Sequence, residues 1–136
     1  MKARNHKLLN SGFFLIFLFF LQVGFTPVPL EITIDVAPNV LNIQNQGEVV
    51  TVHTDIAYNL VNGATVTLNG LEISWWKSDD RGNFVAKFDM EEVKGLVDQG
   101  LLDLGEITLT LWGESSIGEF SGVQTIKVIS VIPKGK

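Results

Sequence analysis

Side chains that could carry out nucleophilic or acid–base chemistry are few in this sequence. It contains no cysteine, which excludes a thiol nucleophile and a thiolate metal site. His6 and His53 are its two histidines, and His6 precedes a long apolar run near the N-terminus. A serine triad would therefore need His53 as its base, but no nucleophile-elbow motif accompanies it. His53 is in phase with Thr51 and Asp55 in an alternating segment, which predicts a solvated residue on the outer face of a strand.

Glu91 and Glu92 are adjacent carboxylates, a residue type that serves in general acid–base catalysis. They belong to Asp89–Glu92, which has the capping-box pattern of a helix start, and neighbouring side chains on a helix point about 100° apart. Gly100 is a natural helix stop. We expect a short helix of about two to three turns, with acidic residues that stabilise its first turn through the helix dipole. Since nothing in the sequence selects a catalytic pair, we predict that the protein is not an enzyme.

One turn combines oxygen ligands that calcium could use. Asp79, Asp80 and Asn83 lie within five residues of one another and offer carboxylate and amide oxygens. Calcium takes roughly six to eight oxygens, and these side chains supply about half of that number. Arg81 adds a cation to the same turn. We favour a solvated turn between two strands, with a calcium site at Asp79, Asp80 and Asn83 as the alternative, and we expect no other cofactor.

Most of the chain after Glu31 has apolar residues at every second position, which is the pattern of half-buried strands. Seven such runs lie at residues 32–36, 50–56, 64–68, 71–76, 84–88, 107–112 and 125–128. Turns rich in glycine and asparagine separate them, and Asn69–Gly70 is a strong signal for a short hairpin. The sequence predicts an all-β fold, an antiparallel β-sandwich of about seven strands with one short helix. A small β-barrel is the alternative.

Two tryptophans are in the outward phase of their predicted strands. The alternation places Leu71, Ile73 and Trp75 on the inward side, so that the adjacent Trp76 points outward. Trp112 is likewise in phase with threonines. Because exposed aromatic area tends to mark interfaces, we predict that Trp76 and Trp112 are binding residues. The alternatives are that a loop or the helix covers them, or that a bulge reverses the phase.

The N-terminus has the pattern of an export signal. Lys2, Arg4 and Lys7 precede Phe13–Leu21, an uninterrupted apolar run of nine residues. A transmembrane helix needs about 20 apolar residues, so this run is too short to span a bilayer in the ordinary way. A basic flank followed by a run of this length is typical of a secretory signal peptide.

The chain therefore divides into four parts. We interpret residues 1–25 as a signal peptide or, alternatively, as an uncleaved N-terminal anchor, with Gly24 as the best small residue before a cleavage site. Residues 26–30 form a proline-containing linker, 31–131 the β-sandwich domain and 132–136 a basic tail. We expect a secreted or surface-associated protein that contacts a membrane only through its N-terminal segment.

The charge of the chain is unevenly distributed. All 15 acidic residues lie from Glu31 onward, and the formal net charge of the whole chain is −5. Removal of the basic N-terminus leaves 7 basic and 15 acidic residues, a formal net charge of −8. A domain with this charge repels phosphate backbones, so we expect that it does not bind nucleic acid.

Several segments resemble the Ig-like or cohesin-like β-sandwich modules of secreted bacterial and archaeal proteins. The segments are ATVTLNG at Ala64–Gly70, VAKFDMEEV at Val85–Val93, ITLTLWGE at Ile107–Glu114, and FSG at Phe120–Gly122, which leads to IKVI at Ile126–Ile129. The resemblance covers about residues 31 to 130 and implies a spacer, adhesion or assembly part. Relatives often carry an acidic Asp-x-Asp-Gly-Asp-like loop where this chain has SDDRGN at 78–83, a departure that removes carboxylates and adds a cation.

These observations lead to two expected functions. The first is an exported, non-catalytic structural or assembly module at the cell surface or outside the cell, with protein partners. The alternative is a carbohydrate- or ligand-binding module that uses exposed tryptophans to hold an extracellular polysaccharide.

Overall fold

The computed structural model describes residues 28–132 of the chain. The predicted export signal, part of the linker and most of the basic tail lie outside these residues. The described strands are β1 (Leu30–Glu31), β2 (Ile34–Ala37), β3 (Val40–Asn42), β4 (Val49–Ala57), β5 (Val61–Leu68), β6 (Leu71–Glu72), β7 (Trp75–Ser78), β8 (Asn83–Asp89), β9 (Gly105–Ser115) and β10 (Gly118–Ile129). A 3-10 turn spans Tyr58–Leu60, and the helix α1 spans Met90–Asp98.

The strands form two sheets, which confirms the prediction of a mostly β fold with one short helix. The six-stranded sheet has the order β1-β10-β9-β5-β6, with β3 also paired to β10, and the four-stranded sheet has the order β2-β4-β8-β7. Two separate sheets around a shared core are consistent with a sandwich rather than with a small barrel.

The strand count and the pairing differ from the expected seven antiparallel strands. The structure has ten strands between residues 28 and 132, and the additional ones are two or three residues long. β1 and β3 pair parallel with opposite ends of β10, while β2 between them pairs antiparallel with β4 of the other sheet. The segment 30–42 thus passes from one sheet to the other and back. For this reason local alternation of apolar residues reveals only part of it, the run at 32–36.

The core lies between the two sheets and takes apolar side chains from both. Fully buried residues include Phe84 and Phe88 of the four-stranded sheet and Leu109, Leu111 and Phe120 of the six-stranded sheet. Gly113 makes room for one of these rings, because a Cβ atom at that position would lie 2.6 Å from Cζ of Phe120.

The first predicted hairpin forms at the expected residues. Asn69 and Gly70 both have positive φ, 47° and 85°, and connect β5 to β6. This is the backbone conformation that an Asn-Gly hairpin turn requires. Ala64, by contrast, was expected to face inward and is exposed, because the β5–β9 ladder is irregular between Asn62 and Thr67 and shifts the alternation.

Helix α1 has the predicted caps at both ends. Oδ1 of Asp89 accepts hydrogen bonds from the backbone N–H groups of Glu91 (2.8 Å) and Glu92 (3.2 Å). At the other end Gly100 has a φ of 75°, and the N–H of Leu101 donates to the carbonyl oxygen of Leu96. The helix buries Met90, Val93 and Leu96 against the core. Within residues 28–132, no helix has the length and apolar character needed to cross a membrane.

The cap generates a stability prediction. Asp89→Ala removes the acceptor for two N–H groups and should lower the free energy of unfolding by about 1 kcal/mol. The measurement is urea unfolding followed by circular dichroism, with Asp103→Ala, an exposed aspartate after the helix, as the control that should match the wild type. Equal urea midpoints for Asp89→Ala and the wild type would contradict the role of this side chain.

Candidate binding surface

Trp75 and Trp76 lie in the opposite phase from the one predicted. Trp75 is directly opposite Lys87 on the outer face of the four-stranded sheet and is 48% exposed. Trp76 is opposite Ala86, a fully buried core residue, so its side chain is on the side of the sheet that faces the core. The prediction that Trp75 faces inward and Trp76 outward is therefore wrong.

The ring of Trp76 packs against the backbone of the other sheet. A Cβ atom at Gly63, in β5, would lie 2.2 Å from Cε2 of Trp76, so that only glycine permits this contact. The Trp76 residue is still 38% exposed to solvent, because β7 is the edge strand of its sheet. It closes one open side of the core while part of its ring stays accessible.

The phase reverses because the chain changes sheets between Glu72 and Trp75. The N–H of Ile73 donates to Val66 of the six-stranded sheet, and the N–H of the next residue, Ser74, donates to Lys87 of the four-stranded sheet. The inward direction of one sheet of a sandwich is the outward direction of the other. Alternation that continues through this crossing therefore places Trp75 outside.

Trp112 lies where the alternation predicts, on the outer face of the six-stranded sheet. Its neighbours on the adjacent strands are Ser121 and Thr67, and it is half-buried. Trp75 and Trp112 thus occupy opposite outer faces, with Trp76 between the sheets. The structure does not bring the predicted binding residues Trp76 and Trp112 into one site, and their binding role stays a prediction.

Polar groups, some exposed and some half-buried, surround Trp75 on the outer face of the four-stranded sheet. Nζ of Lys87 lies 5.4 Å from the centroid of the Trp75 ring and donates a hydrogen bond of 2.8 Å to Oγ1 of Thr51. Lys77 is two residues from Trp75 and shares its face, opposite Val85, and the exposed His53 is on the other side of Val85. We call these five residues, Trp75, Lys77, Lys87, Thr51 and His53, the Trp75 face. The outward position of His53 was predicted and is confirmed.

The surroundings of Lys87 on this face disfavour its charged form. Partial burial and, after it, the neighbouring charge of Lys77 lower the pKa of Lys87. Within residues 28–132 the one ion pair joins Lys94 and Glu91, at 3.0 Å. Neither Lys77 nor Lys87 therefore has a carboxylate ion-pair partner in this part of the chain. The sequence analysis missed this pair of lysines. A signal was available, since Lys77 and Lys87 flank the predicted turn at 78–83, and strands joined by a turn place such residues close together.

The Asp79 side chain stabilises the backbone of the acidic turn at residues 78–83. Oδ1 of Asp79 accepts hydrogen bonds from the N–H groups of Arg81 (2.8 Å) and Asn83 (2.9 Å). These bonds, the one from Asn83 above all, together with the charge of Arg81, lower the pKa of the Asp79 carboxyl group, against a smaller opposing effect of burial. Asp80 is exposed. Between residues 28 and 132, no three His, Cys, Asp or Glu side chains are grouped so that they could hold a metal ion. For Asp79, Asp80 and Asn83, a solvated turn stays the prediction, with a calcium site as its alternative.

The adjacent carboxylates Glu91 and Glu92 line an open cleft of about 610 Å³ between α1 and the β5–β6 hairpin, together with Glu72. The carboxylate of Glu91 binds Nζ of Lys94, which also donates to the backbone carbonyl of Asn45. The Lys94 side chain thus links helix α1 to the loop after β3.

Comparison of the chain with known protein families, with curated proteins and with solved structures found no match. The resemblance to Ig-like or cohesin-like modules stays a prediction that depends on the four segments quoted above. The function must be inferred from the geometry of the chain itself.

The positions of the two adjacent tryptophans predict different costs of mutation. Trp76→Ala removes a ring that covers the core and should lower the free energy of unfolding by about 2 kcal/mol, less than a fully buried tryptophan would. Trp75→Ala changes the surface and should cost about 1 kcal/mol or less. Urea unfolding measures both, and a larger loss for Trp75→Ala would contradict the assigned phase.

A double-mutant cycle is the control for this contact. Gly63→Ala should destabilise the wild type, because the added methyl group displaces the ring of Trp76, and should cost much less in the Trp76→Ala background. Equal costs in the two backgrounds would show that the ring lies elsewhere.

The Asp79 carboxylate predicts a pH-dependent difference in stability. Its pKa in the folded protein lies below the ordinary value of 3.8, so its charged form stabilises the fold above that pH, and this contribution is lost as the pH falls through the folded pKa. Asp79→Asn keeps an oxygen acceptor and removes the charge. The melting temperature of the wild type should exceed that of Asp79→Asn near neutral pH, and the two should converge below about pH 3. Asp80→Asn is the control, and a constant difference between the wild type and Asp79→Asn would contradict the assignment.

Proposed function

We propose that this chain is an exported, non-catalytic β-sandwich module that serves as a structural or assembly part at the cell surface or outside the cell. The basic and apolar N-terminus supports export. The Ig-like or cohesin-like segments support the kind of module. Its partner is a protein, held through surface contacts.

The observation that supports the non-catalytic role is that the fold uses three of the acidic side chains that the sequence analysis weighed for chemistry or capping. Asp79 binds the backbone of its turn, Asp89 caps the helix, and Glu91 binds Lys94. His53 is exposed on an open sheet face. This arrangement favours a protein that acts through its surface.

A second candidate function, carbohydrate or ligand binding through exposed tryptophans, is favoured by the Trp75 face. Sugars bind to proteins through an aromatic surface combined with hydrogen-bonding groups, since one face of a sugar ring is apolar and its edge is polar. Trp75 has such groups at Thr51 and Lys87. Trp112, between Ser121 and Thr67, is a second half-exposed ring with polar neighbours.

Export is tested by the location of the full chain in the cell that expresses it. We expect the wild type outside the cytoplasm, with a shortened N-terminus if residues 1–25 are a cleaved signal and with the complete one if they are an anchor. Deletion of Phe13–Leu21 should keep the protein inside the cell, because the apolar run is what the export machinery binds. A wild type that stays in the cytoplasm would contradict the proposal.

A further inference from the structure

The cations of this acidic protein are concentrated on one hairpin. Residues 28–132 contain 15 acidic residues and five basic ones, Lys77, Arg81, Lys87, Lys94 and Lys127. Three of the five belong to the hairpin of β7 and β8. The hairpin also carries Asp79, Asp80 and Asp89 and is therefore formally neutral, while the rest of residues 28–132 has 12 acidic and two basic residues and repels anions.

The two other lysines have an acidic side chain as ion-pair partner or cross-strand neighbour. The lysines of the Trp75 face have no acidic cross-strand neighbour, and the nearest carboxylates along their strands are Asp79 and Asp89, two residues away. Lys94 binds Glu91, and Lys127 is directly opposite Glu106 on the outer face of the six-stranded sheet. Lys87 has Trp75 and Thr51 as its cross-strand neighbours, and Lys77 has Val85. An anion placed between Lys77 and Lys87 would relieve the repulsion between two charges that lack a carboxylate partner in the described part of the chain.

The aromatic surface beside these charges selects the kind of anion. Trp75 is 48% exposed on the outer face of the four-stranded sheet, and Nζ of Lys87 is held near its ring by the bond to Thr51. A small inorganic anion makes no use of an exposed indole. A sugar ring can lie against the indole with its C–H groups, use the Thr51 hydroxyl as a hydrogen-bond partner, and place an acidic substituent near the ammonium groups.

We propose that the Trp75 face binds an acidic polysaccharide, with a sugar ring against Trp75 and its carboxylate or sulfate group between Lys77 and Lys87. The inference rests on the second candidate function, ligand binding through exposed tryptophans, and moves the site from Trp76 to Trp75. Binding is reversible and involves no covalent step.

The test compares an acidic polymer with its methyl ester, which has the same sugar backbone but an uncharged ester group in place of each carboxylate. The full chain, kept in a mild detergent because of its apolar N-terminus, is titrated by calorimetry with polygalacturonate and with its fully methyl-esterified form, and dextran sulfate tests a sulfated chain. We expect binding to polygalacturonate at least about tenfold tighter than to the ester. Raising NaCl from about 50 mM to about 500 mM should weaken binding to the acidic polymer.

Variants locate the site. Lys77→Gln, Lys87→Gln and Trp75→Ala should each weaken binding to polygalacturonate by about tenfold, with the fold retained by circular dichroism. Lys127→Gln removes the same charge from the outer face of the other sheet and should bind like the wild type.

The remaining possible results would each contradict a different part of the inference. Equal binding of both polymers, lost in Trp75→Ala, would leave ligand binding at Trp75 intact and remove the acidic specificity. An equal loss in Lys127→Gln would show general attraction of a polyanion. If neither these polymers nor a panel of neutral polysaccharides bind, the second candidate function fails as well, and binding of an acidic peptide alone would replace the sugar by a protein partner.

Discussion

Two crossings of the chain between the sheets decide which side chains reach the core. At Ile73 and Ser74 the chain leaves the edge of the six-stranded sheet and joins the edge of the four-stranded sheet, and the alternation continues, so Trp75 ends outside. Between β1 and β2 the chain also changes sheets, but Ile32 and Ile34 both pack on the core. The backbone therefore rotates about its own axis between β1 and β2, and it does not rotate at Ile73 and Ser74. The directions in which Trp75 and Trp76 point therefore depend on the crossing at Ile73 and Ser74.

The crossings also explain how the edges of the two sheets are joined. The segment 30–42 runs along β10 and contributes to both sheets, and Gln124 of β10 accepts a hydrogen bond of 2.5 Å from the backbone N–H of Val36 in β2. On the opposite side, Trp76 lies over Gly63 and closes the gap between β7 and β5. One side is therefore held by strand pairing and the Gln124 bond, and the other by the ring of Trp76 and the backbone hydrogen bonds of Ile73 and Ser74. Because β7 is the edge strand of its sheet, both of its tryptophans stay partly exposed.

Local features of the fold could be predicted from the sequence, and long-range ones could not. Asp89 and Gly100 delimit the helix, and Asn69–Gly70 forms the expected hairpin, because capping and turn chemistry act over a few residues. The parallel pairs of β1 and β3 with β10 join residues about 90 positions apart and leave no local pattern. The phase of Trp75 depended on a change of sheet, which alternation alone does not reveal. Lys77 and Lys87 come together through the register of the β7–β8 hairpin, which the sequence of the turn alone does not fix.

The central claim, that Trp76 faces the core and Trp75 the solvent, is tested most directly by nuclear Overhauser effects in solution. The indole protons of Trp76 should show strong effects to the α-protons of Gly63, because the ring lies within van der Waals contact of that backbone. The indole protons of Trp75 should show effects to the side chain of Lys87 and none to Gly63. Effects between Trp75 and Gly63, with Trp76 beside Lys87, would contradict the account.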